Sequence, residues 1–367
     1  MELGDALIAL VAPLKPGDSL RGARLSHAST ELGLRLTFER EGGRVHVEVF
    51  PDEDGRRHAA RSARLLFAYR LGRGHGAVDP AEGKALCEAV AALARENEAR
   101  VLEALSAREG GEEGARVREV TGGTLLEPAG PADAPHYTLS PYVGCLIGCR
   151  FCYAQDRVGL ARRLRGLPPA PWGSYVDARV DAPKRLREEL ASRPALPIKL
   201  CPIVSDPYHA IEAKLRLTRG CLEVLREAPP RPVLVLTRAR LIERDADVLA
   251  DLPGARAGFS VPTADDAVRA FFEARFEVLR GLRARGVRTF AVVQPMLPGS
   301  IEALADALAE SVESVSLDVL RGEEDAGPLF DAYPEARDEG WQAARLEALR
   351  AKLEARGVAV WTGELPP

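Results

Sequence analysis

The chain has 367 residues, 46% hydrophobic and 28% charged, with a formal net charge of −4. That composition is globular and excludes a disordered or collagen-like chain. The length exceeds the ~100–200 residues of an average domain, so one barrel plus one smaller domain fits. The charge leaves no global basic field, so wrapping by nucleic acid is disfavoured, although a local basic groove would still serve.

Residues 1–108 read as an N-terminal α+β accessory domain. An apolar helix near Ala6–Leu14 comes first. Two β-rich runs follow, Leu32–Arg40 and Val45–Phe50, joined by Glu41-Gly42-Gly43, which is a hairpin signal. Ala63–Tyr69 reads as a third strand. Asp79-Pro80 then opens a long Ala-rich helix to about Leu105, with the Asp as its cap and Pro in its first turn. Residues 109–135, rich in Gly, Glu and Pro, read as a linker.

From residue 136 to 330 short strands alternate with helices. The strands are Ile198–Val204, Val233–Thr237, Ala257–Val261, Thr289–Gln294 and Val315–Val319. Between them lie Leu217–Arg226, Glu243–Leu249, Ala267–Arg285 and Ile301–Ser311. In the last, Ile301, Leu304, Ala305 and Leu308 form one apolar stripe at helical spacing. Such alternation implies a parallel sheet with right-handed crossovers, hence an α/β barrel or open sheet. Residues 331–367 add a helix, Glu335–Arg356, and a strand, Val358–Trp361, which complete that domain. The longest apolar run is broken by Pro13 and falls short of the ~20 residues that span a bilayer. Glu2 and Asp5, with no Lys or Arg beside them, are unlike a secretory signal. The expectation is a cytoplasmic protein without a membrane segment.

The six cysteines are Cys87, Cys145, Cys149, Cys152, Cys201 and Cys221. Three crowd into eight residues, which is unlike the disulfide framework of a small secreted domain. The crowded run reads Ser140-Pro141-Tyr142-Val143-Gly144-Cys145-Leu146-Ile147-Gly148-Cys149-Arg150-Phe151-Cys152-Tyr153-Ala154, a C-x3-C-x2-C spacing. Three thiolates on one tight loop can hold three irons of a cubane cluster, and a fourth iron is then open to a small molecule. A structural zinc site wants four closed ligands, and no nearby His or Cys supplies the fourth.

The run resembles the radical S-adenosylmethionine (SAM) superfamily, and its longer form resembles the spore photoproduct lyase-like branch, N-P-Y-x-G-C-x-x-x-C-x-Y-C-Y/F-A. Ser140 stands for the usual Asn and Phe151 for a usual Tyr; the three cysteines are intact. Three further segments match in order. They are Ser205-Asp206-Pro207-Tyr208 with Leu217-Thr218-Arg219-Gly220, then Leu236-Thr237-Arg238 where relatives have L-T-K, then Pro295-Met296-Leu297-Pro298-Gly299. Together they cover about half the chain; the first hundred residues carry none of these motifs.

The resemblance implies a partial (β/α)6 radical-SAM-type barrel and a [4Fe-4S] cluster on Cys145, Cys149 and Cys152. It implies SAM on the open iron, reductive cleavage of its C–S bond, and a radical that abstracts a substrate hydrogen. By position, the Tyr153 backbone would meet the adenine, Ser205 the methionyl amino group, and Arg238 its carboxylate. Ser260 is a weaker candidate for the ribose or amino group. An electron donor such as flavodoxin or ferredoxin is the implied protein partner. The bland reading of Arg238 is a loop cation, because relatives prefer Lys there. Cys221 lies with Leu217 and Leu225 on one helix face, and Cys87 beside Leu86 and Val90, so both read as core.

Two alternatives stand beside an enzyme of unknown substrate: a DNA-lesion lyase proper, and an iron-sulfur scaffold without turnover. Thymine-adduct lyases carry a cysteine two residues before the Ser-Asp pair. Here Ile203 occupies that position, and Cys201 would lie ~13 Å below Ser205 along an extended strand. Dinucleotide repair is therefore not expected.

Overall fold

The computed structural model describes residues 3–29, 34–40, 43–51, 59–62, 65–71, 78–106, 116–130, 134–149, 152, 154–155, 158–159, 162, 167, 170–201, 204–265, 276–319, 330, 333–363 and 365–366. The chain divides into two compact units. One comprises Met1–Thr124 with Ala154–Pro171, the other Leu125–Tyr153 with Trp172–Pro367.

The first unit opens with a helix, Leu3–Leu10, followed by β1 (Ser19–Leu20), β2 (Ala23–Ser29), β3 (Arg35–Arg40), β4 (Gly43–Pro51), β5 (Ala60–Arg61) and β6 (Leu65–Leu71). These form an antiparallel sheet in the order β1-β2-β3-β4-β6-β5. The expected β3–β4 hairpin is present, whereas β1 and β2 were not read from the sequence. Alternation sorts the side chains by face. Leu25, Leu36, Phe38, Val45, Val47 and Phe67 are buried in one core with Leu7, Leu10, Val90 and Ala94. The last two belong to the helix Pro80–Ser106, which Asp79 caps by accepting the Ala81 N–H at 2.8 Å. Cys87 lies fully buried on this helix, and burial lifts its thiol to about 12.

The residues read as a linker are partly strand: β7 (Val117–Val120) and β8 (Leu126–Ala129) fall within 109–135. The division between units also comes at 124 and not at 108, and the first unit takes residues 154–171.

The second unit holds β8, β9 (His136–Leu139), β10 (Tyr142–Val143), β11 (Val176–Arg179), β12 (Ile198–Leu200), β13 (Val233–Thr237), β14 (Ala255–Ser260), β15 (Arg288–Val293), β16 (Ser314–Leu317) and β17 (Ala359–Trp361). Strands β9 and β12 to β17 are parallel neighbours in the order β9-β12-β13-β14-β15-β16-β17. Strand β8 adds to β9 antiparallel. The mixed α/β class is as expected. Among the described residues the parallel strands number seven where six were expected, and the outermost strands, β8 and β17, are not paired with each other.

One face of this sheet buries Val233, Val235, Ala257, Phe259, Ala291, Val293 and Val315 against the crossover helices. Those helices include Leu217–Glu227, Phe276–Ala284, Ile301–Ser311 and Glu339–Ala355. Ser300 and Asp338 cap the last two by accepting the N–H groups of Ala303 and Trp341. The opposite face carries a small apolar cluster of Leu234, Phe290 and Trp361. Strand β12 ends at Leu200, short of the expected Val204, and residues 202–203 lie outside the described set. The register read for Cys201, Ile203 and Ser205 thus falls at Ile203 outside the described residues. Among the described residues no helix is long and apolar enough to cross a membrane.

Candidate functional site

The cysteine-rich run follows β10, whose Tyr142 pairs with Ala178 of β11. Gly144 adopts φ +89, and a Cβ there would stand 2.8 Å from the Tyr175 carbonyl oxygen. Gly148 adopts φ +67, and a Cβ there would stand 2.9 Å from the Cα of Gly173. Both positions thus require glycine for conformation and for space. The Gly144 N–H donates to the Val204 carbonyl at 3.0 Å, tying the loop to the segment after β12. Cys145 is 4% exposed, and its sulfur accepts the Ile147 N–H at 3.4 Å. Burial, and then the nearby Asp206 carboxylate, lift this thiol to about 12. Cys149 and Cys152 are half-buried, and the Cys152 N–H closes a turn on the Cys149 carbonyl at 3.1 Å.

Arg238 reaches this loop from the C-terminal end of β13. Its Nη1 donates to Cys149 Sγ at 3.7 Å and its Nη2 to Ser260 Oγ at 3.0 Å. Three expected site residues, from the loop, β13 and β14, are thus joined through one guanidinium. Its planar fork has the shape that receives a carboxylate. Ser205 is 5% exposed, and its hydroxyl donates to the Asp206 carbonyl at 3.4 Å; no bond joins it to Arg238 or Ser260 among those described. Tyr153 lies outside the described residues.

What fixes Arg238 is Asp206, a residue of the quoted segment to which the sequence assigned no role. Its carboxylate accepts the Arg238 N–H at 2.8 Å, the Thr237 hydroxyl at 2.6 Å and the Tyr208 N–H at 2.8 Å. Desolvation pushes its pKa up, and these bonds with the Arg238 charge oppose that rise. The segment's Asp was itself the signal, since a short acidic side chain before Pro is suited to accept nearby backbone N–H groups.

A second buried acid anchors the site from behind. Glu212 is fully buried and accepts from Tyr142 Oη at 2.5 Å, Thr218 N at 3.0 Å and Arg244 Nη2 at 2.6 Å. Burial and this carboxylate hold the Tyr142 phenol far above its ordinary pKa, so it stays the donor. Arg244 also binds the buried Asp245, which Arg219 meets at 3.0 Å. The arginine of the Leu217-Thr218-Arg219-Gly220 segment is therefore structural. No local pattern marks Glu212, because its partners come from residues 142, 218 and 244.

The donor set suits iron better than a hard cation: three thiols stand on the loop, with a guanidinium against one. Among the described residues, no three His, Cys, Asp or Glu side chains are arranged to hold a metal ion. The loop brings the three thiols near one another in sequence without closing them on a point.

No protein-family profile matches the chain. An uncharacterised protein of Methanocaldococcus jannaschii is 24% identical over 186 residues, which is 48% of this chain and 67% of its own length. Uncharacterised proteins of Mycobacterium bovis and Mycobacterium tuberculosis are 26% identical over 174 residues, 44% of this chain and 50% of theirs. The chain thus spans half the length of the mycobacterial relatives. Solved structures of spore photoproduct lyase superimpose with a TM-score of 0.46 and 15% identity, over 67% of this chain and 81% of theirs. One of them, at 17% identity and TM-score 0.46, has bound AdoMet and a dinucleoside spore photoproduct. So weak a likeness assigns no activity.

Proposed function

We propose that the chain is a radical SAM enzyme whose loop cysteines, Cys145, Cys149 and Cys152, hold a [4Fe-4S] cluster, with SAM on its open iron. The observation that carries this reading is the Arg238 guanidinium, which stands between Cys149 and Ser260 at the C-terminal ends of β13 and β14. Active sites of parallel βα sheets gather at those ends. When bound, the cluster and SAM would supply one-electron cleavage of a carbon–sulfur bond and a radical able to take a substrate hydrogen.

The chain's own residues bind and orient. Arg238 would fork onto the methionyl carboxylate, with Ser260 as its neighbouring partner. Asp206 holds the Arg238 backbone, so the cation's direction is set before ligand arrives. Ser205 and Tyr153 remain candidates for the amino group and the adenine. Because Cys145 is a protonated thiol when free, loading the loop with metal must release protons. A flavodoxin- or ferredoxin-type donor would supply the electron, and the substrate is left open.

The test is anaerobic reconstitution followed by a reductant. The loaded protein should turn SAM into 5′-deoxyadenosine and methionine. Arg238→Ala should weaken SAM binding roughly ten- to hundred-fold with the cluster retained, as expected for a lost charge-assisted contact. Full cluster content with no 5′-deoxyadenosine under any reductant would leave a scaffold protein in place of an enzyme.

A further inference from the structure

Trp361 ends β17 on the sheet face that carries Arg238 and Ser260. Parallel registers connect them: Ser260 pairs with Val292, Val292 with Ser316, and Ser316 with Trp361. These four residues form one rung across β14 to β17, continuous with the Arg238–Ser260 contact. Strands lie ~4.8 Å apart, so three steps place Trp361 roughly 14 Å from Ser260 along the sheet. The rung therefore continues about three strand widths past Ser260.

The far end of the rung has an unmet requirement. Trp361 is 9% exposed, and its buried indole Nε1 has no hydrogen-bond partner among the described residues. A buried N–H with no acceptor loses its water and gains nothing, which is rare in folded proteins. Around it the surface is apolar. The Trp361 and Phe290 rings lie 6.2 Å apart, and half-buried Leu236, Val292 and Leu365 pack against them. Neither Val292 nor Ser316, between Ser260 and Trp361, carries a charge, so this stretch of the rung itself offers a charged group no counter-charge.

We propose that this rung is the substrate-binding wall of the site. It takes an uncharged, flat ring with an acceptor on its edge, a ring carbonyl or ring nitrogen, which receives the Trp361 Nε1–H. The ring lies against the Leu236–Val292 surface and takes the place of Leu365. That this ligand is the substrate rests on the reading that Arg238 and Ser260 hold SAM; the binding measurement does not.

The experiment uses the full chain without iron or SAM, so its outcome is separate from the 5′-deoxyadenosine assay. With tryptophan indoles labelled by 15N, 2-pyridone is titrated as the flat lactam probe and benzene as a ring without an acceptor. One of the three indole resonances should move on adding 2-pyridone, and it should be the one missing in Trp361→Phe. The 2-pyridone affinity of that variant should fall roughly two- to ten-fold, the scale of one neutral hydrogen bond, with benzene binding unchanged. Should Trp361→Phe fail to fold, Trp172→Phe and Trp341→Phe identify the moving resonance by elimination. A stationary Trp361 resonance at saturating 2-pyridone, or equal affinity in the variant, overturns the proposal and leaves Trp361 as core.

Discussion

The two sheets of this protein handle polar side chains in opposite ways. In the antiparallel sheet of the first unit, polar residues alternate with the core and pair across strands on the outer face. Arg24 meets Glu39 at 2.7 Å, Arg35 meets Glu48 at 2.8 Å, and Thr37 meets His46 at 3.0 Å. In the parallel sheet of the second unit, charged groups gather beyond the strand ends and are buried: Asp206, Glu212 and Asp245 are at most 3% exposed. Outer-face pairs sit in water and contribute little, whereas buried acids are costly unless fully bonded. The cysteines divide by element: Cys87 and Cys221 are sealed in helices, whereas buried Cys145 and half-buried Cys149 and Cys152 share one loop. Chemistry is therefore expected where polar groups are buried and held, in the second unit.

The largest test of that contrast is metal content. Replacing Cys145, Cys149 or Cys152 by Ala should abolish iron and sulfide binding in reconstituted protein, from about four of each. Cys87→Ala and Cys221→Ala should leave it intact, as should Cys201→Ala. Iron and sulfide analysis after anaerobic reconstitution checks this. Loss of cluster in the Cys221 variant would show that a place on the loop does not separate ligating from structural thiols here.

Next comes stability. Glu212→Ala removes the partner of Tyr142 and Arg244 and strands the Arg244 charge against Asp245 alone. Breaking such a buried network typically costs about 3–5 kcal/mol. Urea unfolding should show a loss on that scale, with the first unit's sheet unaffected in hydrogen exchange. A loss below about 1 kcal/mol would place Glu212 with the surface pairs.

The sequence reveals the periodic parts of this architecture because periodicity is local. Strand β13 and the helix Ile301–Ser311 fall at the bounds read from their apolar patterns. The cysteine loop is equally local. Strands β1, β2, β7 and β8 are missed because they are short, or lie among Gly and Pro, and are specified by their pairing partners. The support of Arg238 is missed for the same reason. Asp206 stands 32 residues from the backbone N–H it holds, and no spacing rule links them. Arg238 and Ser260 were read as separate ligands, and only packing shows them as a bonded pair.

A third prediction concerns pH. His209 is 1% exposed, edge-on to the Tyr142 ring with centroids 4.5 Å apart, and neither ring nitrogen has a partner among the described residues. Desolvation lowers its pKa from 6.5 to about 4. The unfolded chain therefore binds a proton that the folded chain refuses. The stability this gives is full above pH 6.5 and declines as pH falls toward 4. Between pH 7.5 and 5 the loss should be about 2 kcal/mol. His209→Phe, which keeps an aromatic ring against Tyr142, should remove that part of the acid slope. Parallel wild-type and variant curves over this range would mean that the imidazole gains a partner on protonation.

The smallest effect is expected on the outer face of the first unit. The Arg24 and Glu39 side chains are 59% and 34% exposed, and Glu39 keeps Arg44 at 3.3 Å when Arg24 is removed. Exposed pairs contribute about 0.2–1 kcal/mol, lose side-chain entropy in forming, and are screened by salt. A double-mutant cycle with Arg24→Ala and Glu39→Ala should therefore return a coupling energy under about 1 kcal/mol, fading by 0.5 M salt, which is roughly a few ångströms of Debye length. The residual Arg44 contact should make Arg24→Ala milder than Glu39→Ala. A coupling above about 2 kcal/mol that resists salt is the signature of a desolvated pair. It would mean that this face is covered in solution, and the contrast between the two sheets would then be one of partner and not of chemistry.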